Sequence, residues 1–170
     1  MKKLLLLSLI FFHCSIACFA QDSTQLKRQP YKLKVMVDKK NLYEEDLKES
    51  PYVWPDNTIQ LYPGEKLFAE AEIQDGNIVK MTAVKENIHP EKTLVISFTQ
   101  VAKGKVHDVM MLKISNPFDK TLTYAASIYL LNHNKWVKTS VIPVAPGLSS
   151  YESWPDVILS IGIGNWAFEN

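Results

Sequence analysis

The chain has 170 residues, 46% of them hydrophobic, with 19 Lys and Arg against 18 Asp and Glu. This near-neutral balance, without a basic run or basic–aromatic interleaving, argues against a nucleic-acid partner, because phosphate binding needs concentrated Lys and Arg. The 2 cysteines, Cys14 and Cys18, both fall in the first twenty residues, so the rest of the chain cannot form disulfides, cysteine-ligated zinc sites or thiol nucleophiles and depends on apolar burial.

Residues 1–20 read as a secretory signal. Lys2 and Lys3 make a basic start, Leu4 to Phe12 is an apolar run, and Cys18-Phe19-Ala20 puts small residues three before and one before a cut ahead of Gln21. The apolar run is shorter than the roughly 20 residues of a membrane-spanning helix, and the alternative to cleavage is an uncut N-terminal anchor. Removing Lys2 and Lys3 leaves 17 basic against 18 acidic residues in 21–170. Ser15-Ile16-Ala17-Cys18 loosely resembles the processing box of bacterial lipoproteins, with Ser15 where Leu is usual. Lipidation at Cys18 would change a soluble exported protein, periplasmic or extracellular, into a membrane-anchored one.

Residues 21–30 are polar and unpatterned and read as a flexible leader to a single domain over 31–170. Tyr31, Leu33, Val35 and Val37 alternate with polar residues, as in a half-buried strand. The acidic stretch 41–50 reads as a short helix or an acidic loop. Pro51, Pro55 and Pro63 mark a connection, with a short strand at Thr58 to Leu61. Leu67, Ala69, Ala71 and Ile73 face Val79, Met81 and Ala83 across Asp75-Gly76-Asn77. A three-residue loop, with Asn77 at positive φ, keeps all the apolar residues on one face, whereas a two-residue Asp75-Gly76 loop mixes the faces.

Further alternation runs through Leu94, Ile96 and Phe98, through Met110, Leu112 and Ile114, and through Leu122 to Leu130. A two-residue His133-Asn134 turn pairs Leu130 with Val137 and Ile128 with Thr139, and puts Tyr129 and Trp136 on the opposite face, within diagonal reach. Pro143, Pro146 and Gly147 end that strand; 150–154 and 157–163 are the last candidates. About eight short strands separated by turns predict an all-β antiparallel sandwich. Its expected core is Leu33, Val35, Ala71, Ile73, Met81, Ile96, Phe98, Leu112, Ile114, Ile128 and Leu130. The segment Ile114-Ser115-Asn116-Pro117-Phe118-Asp119-Lys120-Thr121-Leu122-Thr123-Tyr124, with the loop Val144-Ala145-Pro146-Gly147, resembles exported bacterial immunoglobulin-like domains. The resemblance covers about residues 90–163 and implies an immunoglobulin-like fold but no active site.

No chemical motif rises above the background. Trp-Pro-Asp occurs at 54–56 and 154–156; without a nucleophilic Cys, turns that pack a Trp are the better reading than a phosphatase acid. His89, His107 and His133 lack metal-ligand spacing, and no G-x-S-x-G elbow is present. Glu44-Glu45, Glu70/Glu72 and Asp56 with Asp156 are the carboxylate pairs, and Glu70 and Glu72 share an outward strand face. No catalytic, metal or cofactor-binding residue is therefore assigned, and no cofactor is expected. Trp136 and Tyr129 are the candidate binding surface. The sequence reads as a non-enzymatic exported module that binds or assembles with a protein or glycan of the cell envelope. The alternative is a sugar-binding module or glycan-active enzyme, which a plate of exposed aromatics flanked by Asp, Asn or Gln would favour.

Overall fold

A computed structural model of the chain describes residues 25–169; the signal features and Cys18 lie outside the described residues. Those residues form β-strands and loops without a helix: β1 (Lys27–Arg28), β2 (Tyr31–Met36), β3 (Leu42–Leu47), β4 (Ser50–Pro51), β5 (Ile59–Leu61), β6 (Glu65–Gln74), β7 (Asn77–Val84), β8 (Thr93–Lys103), β9 (Val106–Ser115), β10 (Leu122–Leu130), β11 (Lys135–Thr139), β12 (Ser149–Trp154) and β13 (Ile158–Phe168). All pairings are antiparallel. A four-stranded sheet has the order β11-β10-β13-β5 and a five-stranded sheet the order β12-β9-β8-β6-β7, with two-stranded ribbons β1-β4 and β2-β3 beside them.

The strand period explains the packing. Ile96, Phe98, Leu112, Ile114, Ala71 and Met81 from the five-stranded sheet meet Ile128, Ile161 and Ile163 from the four-stranded sheet in one buried cluster, giving a β-sandwich-like arrangement. Leu33 and Val35, expected in that core, instead join Leu47 and Leu159 in a second, smaller cluster, where the β2-β3 ribbon packs. Gln100 lashes this ribbon to β8: its amide accepts from Met36 N at 2.8 Å and donates to Met36 O at 2.7 Å. The same amide lies 2.9 Å from His107 Nδ1, and His107 Nε2 lies 3.0 Å from Pro155 O. Met36 O fixes the Gln100 nitrogen as a donor, so His107 accepts at Nδ1 and donates from Nε2.

Four expectations require correction. The stretch 41–50 is not helical: β3 occupies it, with Glu44 opposite Lys34 and Asp46 opposite Lys32, and these opposed charges form ion pairs at 3.2 and 3.1 Å. The acidic run is one face of a ribbon whose other strand is basic. Second, the leader is ordered before residue 30. Leu26 N donates to Ala83 O at 3.0 Å, Arg28 pairs with Ser50 in β1-β4, and Arg28 is only 1% exposed.

Third, the β6-β7 turn is the two-residue one, with Asp75 and Gly76 both at positive φ, the backbone of a type I′ turn. Gln74 pairs with Asn77 and Ile73 with Ile78, after which a bulge restores Ala71 to Met81 and Ala69 to Ala83. The bulge absorbs the mismatch that argued for a longer loop. It also leaves Ile73 at the hairpin tip, 42% exposed and outside the core. Fourth, the β10-β11 connection is four residues, 131–134, so Leu130 pairs with Lys135 and Ile128 with Val137. The slip is two residues, so every side chain keeps its expected face, and Tyr129 comes directly opposite Trp136. Leu130 is partly buried against the core rather than within it.

Candidate functional site

The outer face of the four-stranded sheet is built low. Along the middle of β13 small residues alternate with core residues: Ser160, Gly162 and Gly164 lie on the face opposite the core that Ile161 and Ile163 enter. β10 repeats this with Ala125 and Ser127. Pairing sets Ala125 beside Gly164 and Ser127 beside Gly162, with Lys138 and Gln60 completing the Ser127–Gly162 row across all four strands. A floor of glycine, alanine and serine leaves room that larger outward side chains would fill. The result is an open groove of about 770 Å³ with Trp54 and Trp136 among its lining residues.

Trp136 leans over the floor. A methyl group added at Gly162 would meet Trp136 Cζ3 at 3.7 Å and Thr58 Cγ2 at 3.8 Å, and one at Gly164 would meet Thr58 Oγ1 at 3.0 Å. Gly164 serves close approach of Thr58 rather than a turn, whereas at Gly162 a methyl group would make ordinary van der Waals contacts. Tyr129 braces Trp136 edge to face, centroids 5.5 Å apart, while itself packing on the second cluster. Trp136 is 47% exposed. Of the two expected binding residues, Trp136 therefore lines the groove and Tyr129 supports it from the side.

The opposite wall comes from the turn before β5. Trp54 N donates to Thr58 O at 2.8 Å and Asn57 N to Trp54 O at 2.9 Å, with Asn57 at φ 63°. Asp56 accepts from Thr58 N at 3.0 Å and from Thr58 Oγ1 at 2.9 Å; these bonds hold its carboxyl below the usual carboxylate range, so it is anionic at neutral pH. The Asn57 side chain reaches the edge strand β7, donating to Val79 O and accepting from Met81 N, and Asn57 O accepts from buried Trp166 Nε1 at 3.1 Å. Trp54, 42% exposed, donates from Nε1 to Gln60 Oε1 at 3.3 Å, and Gln60 Nε2 donates to Ser160 Oγ at 3.0 Å.

Beneath this wall Arg28 fixes β5. Its guanidinium bonds Glu65 at 2.6 and 3.0 Å, Ser50 Oγ at 2.6 Å and Gln60 O at 2.8 Å, between the rings of Tyr52 and Tyr62. Burial by itself would lower the Arg28 pKa, but the hydrogen bond and charge of Glu65 outweigh it and raise it. The leader thus positions a groove element through a buried ion pair, a role its polar sequence did not signal.

The remaining sequence candidates stay apart. Trp154, in the second Trp-Pro-Asp, donates to Thr139 Oγ1 at 2.9 Å, so it ties β12 to β11 rather than repeating the first copy. Asp56 lines the groove and Asp156 does not. Glu70 pairs with Lys92 at 2.9 Å and Glu72 accepts from Gln74. His89 lies 3.9 Å from Glu91, and among the described residues no group of His, Asp or Glu is placed to hold a metal ion. The sequence marks Trp54 only as an aromatic near a turn and does not single out Ser127, Gly162 and Gly164 as groove residues. The signal for the two glycines is the alternation Ile161-Gly162-Ile163-Gly164, in which the outward position is kept small. The chain matches no protein-family model, no curated protein sequence and no solved structure.

Proposed function

We propose that this is a non-enzymatic binding module, exported by its N-terminal signal to the bacterial envelope, whose ligand lies in the groove between Trp54 and Trp136. One observation carries the reading: two half-exposed indoles line a groove whose floor is kept low by Ala125, Ser127, Gly162 and Gly164. Indoles present large apolar area at small conformational cost, and such residues dominate many contacts. Among the described residues the groove is lined by one carboxylate, Asp56, which supports binding over glycoside hydrolysis, a reaction that uses two opposed carboxyls. The two facing antiparallel sheets and the Asn116 loop favour an immunoglobulin-like arrangement, with Asn116 Nδ2 donating to Lys120 O and Val144 O.

Ser127→Arg tests the reading, because it raises the floor without touching the core. Binding of the purified protein to its native envelope fraction is expected to fall at least tenfold, with an unchanged unfolding midpoint. Undiminished binding by the folded variant removes the groove from function.

A further inference from the structure

We infer that the occupant of the groove is a segment of neutral polysaccharide, stacked on Trp54 and Trp136 and hydrogen-bonded by Asn165, Ser127 and Lys138. This rests on the groove being the binding surface and adds what it binds.

The chemistry of the walls and floor selects the ligand. A pyranose ring is apolar on its C–H faces and polar around its rim. The exposed indole surface of Trp54 and Trp136 matches the first property. The second needs hydrogen-bonding groups that the protein has not already used. Asn165, Ser127 and Lys138 line the groove and make no side-chain hydrogen bond to another described residue, whereas Asp56, Gln60 and Thr139 are already tied within the protein. The site therefore combines fixed walls with available donors and acceptors, the preorganised arrangement that limits the cost of ordering on binding.

Charge narrows the class. Among the described residues Asp56 and Lys138 are the only charged ones that line it; their opposite signs cancel, so a polyanion gains no net attraction. Geometry argues against a peptide strand. The floor strands β10 and β13 spend their ladder bonds on each other and on β11 and β5, so the floor offers no free edge for strand addition. The groove is open and has a volume of about 770 Å³, in the range of small-ligand sites, which accommodates a short run of linked rings.

The test titrates the purified exported chain with cellohexaose, xylohexaose, mannohexaose, laminarihexaose, maltohexaose and chitohexaose, with polygalacturonate as the charged comparison. Two-dimensional NMR follows the indole N–H signals of Trp54 and Trp136 and the amides of Gly162 and Gly164. At least one neutral hexaose is expected to shift all four, and Trp54→Ala and Trp136→Ala, each with its fold retained, are expected to weaken that binding about tenfold or more. Absence of a response to every neutral hexaose, a response to polygalacturonate alone, or binding that survives both substitutions overturns the inference. A parallel arm treats the envelope fraction with periodate or with protease before capture. Groove-dependent capture that survives periodate and is lost to protease identifies a protein occupant: the binding reading then stands and the glycan fails. Self-association abolished by Ser127→Arg identifies a second copy, and likewise overturns the glycan. Capture unaffected by Ser127→Arg ends both readings.

Discussion

Arg28 shows how one side chain integrates distant parts of the chain. Removing one member of a buried ion pair leaves the other charge without compensation, which costs about 3–5 kcal/mol. Arg28→Ala is expected to lose stability in that range, since the Glu65 side chain is only 9% exposed, although Tyr31 OH and Tyr62 N also bond it. Replacing both charges, as Arg28→Met with Glu65→Leu, is expected to recover much of the loss. Urea denaturation of the two variants decides this, and a single substitution no worse than the double would show that the pair is not the anchor. Trp136 behaves oppositely. It sits half in solvent against Tyr129, so Trp136→Ala is expected to cost about 1 kcal/mol or less. A loss of 3 kcal/mol or more by the same measurement, the range of a truncated core aromatic, would show that Trp136 is a core residue.

Among the elements, the β6-β7 hairpin separates local from global control. Its Asp75-Gly76 turn is chosen by backbone chemistry and the bulge by the need to return Ala71 and Ala69 to the core. Ile73→Thr, beyond the bulge, is expected to change stability by about 0.5 kcal/mol or less, while Ile96→Ala at the sandwich centre costs about 2–5 kcal/mol. Equal thermal shifts for the two would contradict the bulged register. The exposed edge of the same hairpin is guarded by Asn57, whose amide occupies both a donor and an acceptor of β7. Asn57→Ala frees them and is expected to cost about 1–3 kcal/mol, with faster amide exchange at Met81 as its local sign.

For the whole molecule, tyrosines set a limit on alkaline stability. Burial, ahead of neighbouring charges, raises the pKa of Tyr31, Tyr52 and Tyr62. Burial likewise pushes Tyr43 and Tyr124 up to about 12 from an ordinary 10.0. A phenol that ionises later in the folded than in the unfolded state keeps its proton in the folded state alone between those values. The unfolded state then binds fewer protons, so stability falls as pH rises. The stabilisation is complete below pH 10 and is lost as pH climbs through the folded values. Urea midpoints are expected to be flat with respect to these groups below pH 10 and to drop steadily between about 10 and 12. Ionisation of these five tyrosines near pH 10 without loss of fold would refute the assignment.

Local chemistry made most of the architecture legible. Period-two alternation located the long strands and nine of the eleven expected buried residues, because burial on one face of a strand is written directly into every second position. Trp136 was legible as an outward residue for the same reason, even though its register was two residues off: an even slip preserves the face. What sequence did not reveal depended on partners far along the chain. The acidic stretch 41–50 becomes a strand only beside the lysines of β2, Arg28 becomes buried only when Glu65 and Gln60 meet it, and the Asp75-Gly76 turn is reconciled with the core only by a bulge. The groove belongs to this second class. Its small floor residues were visible as an alternation within one strand, but only the pairing of β11, β10, β13 and β5 aligns them across a sheet, and only the Asn57 turn sets Trp54 along their far side.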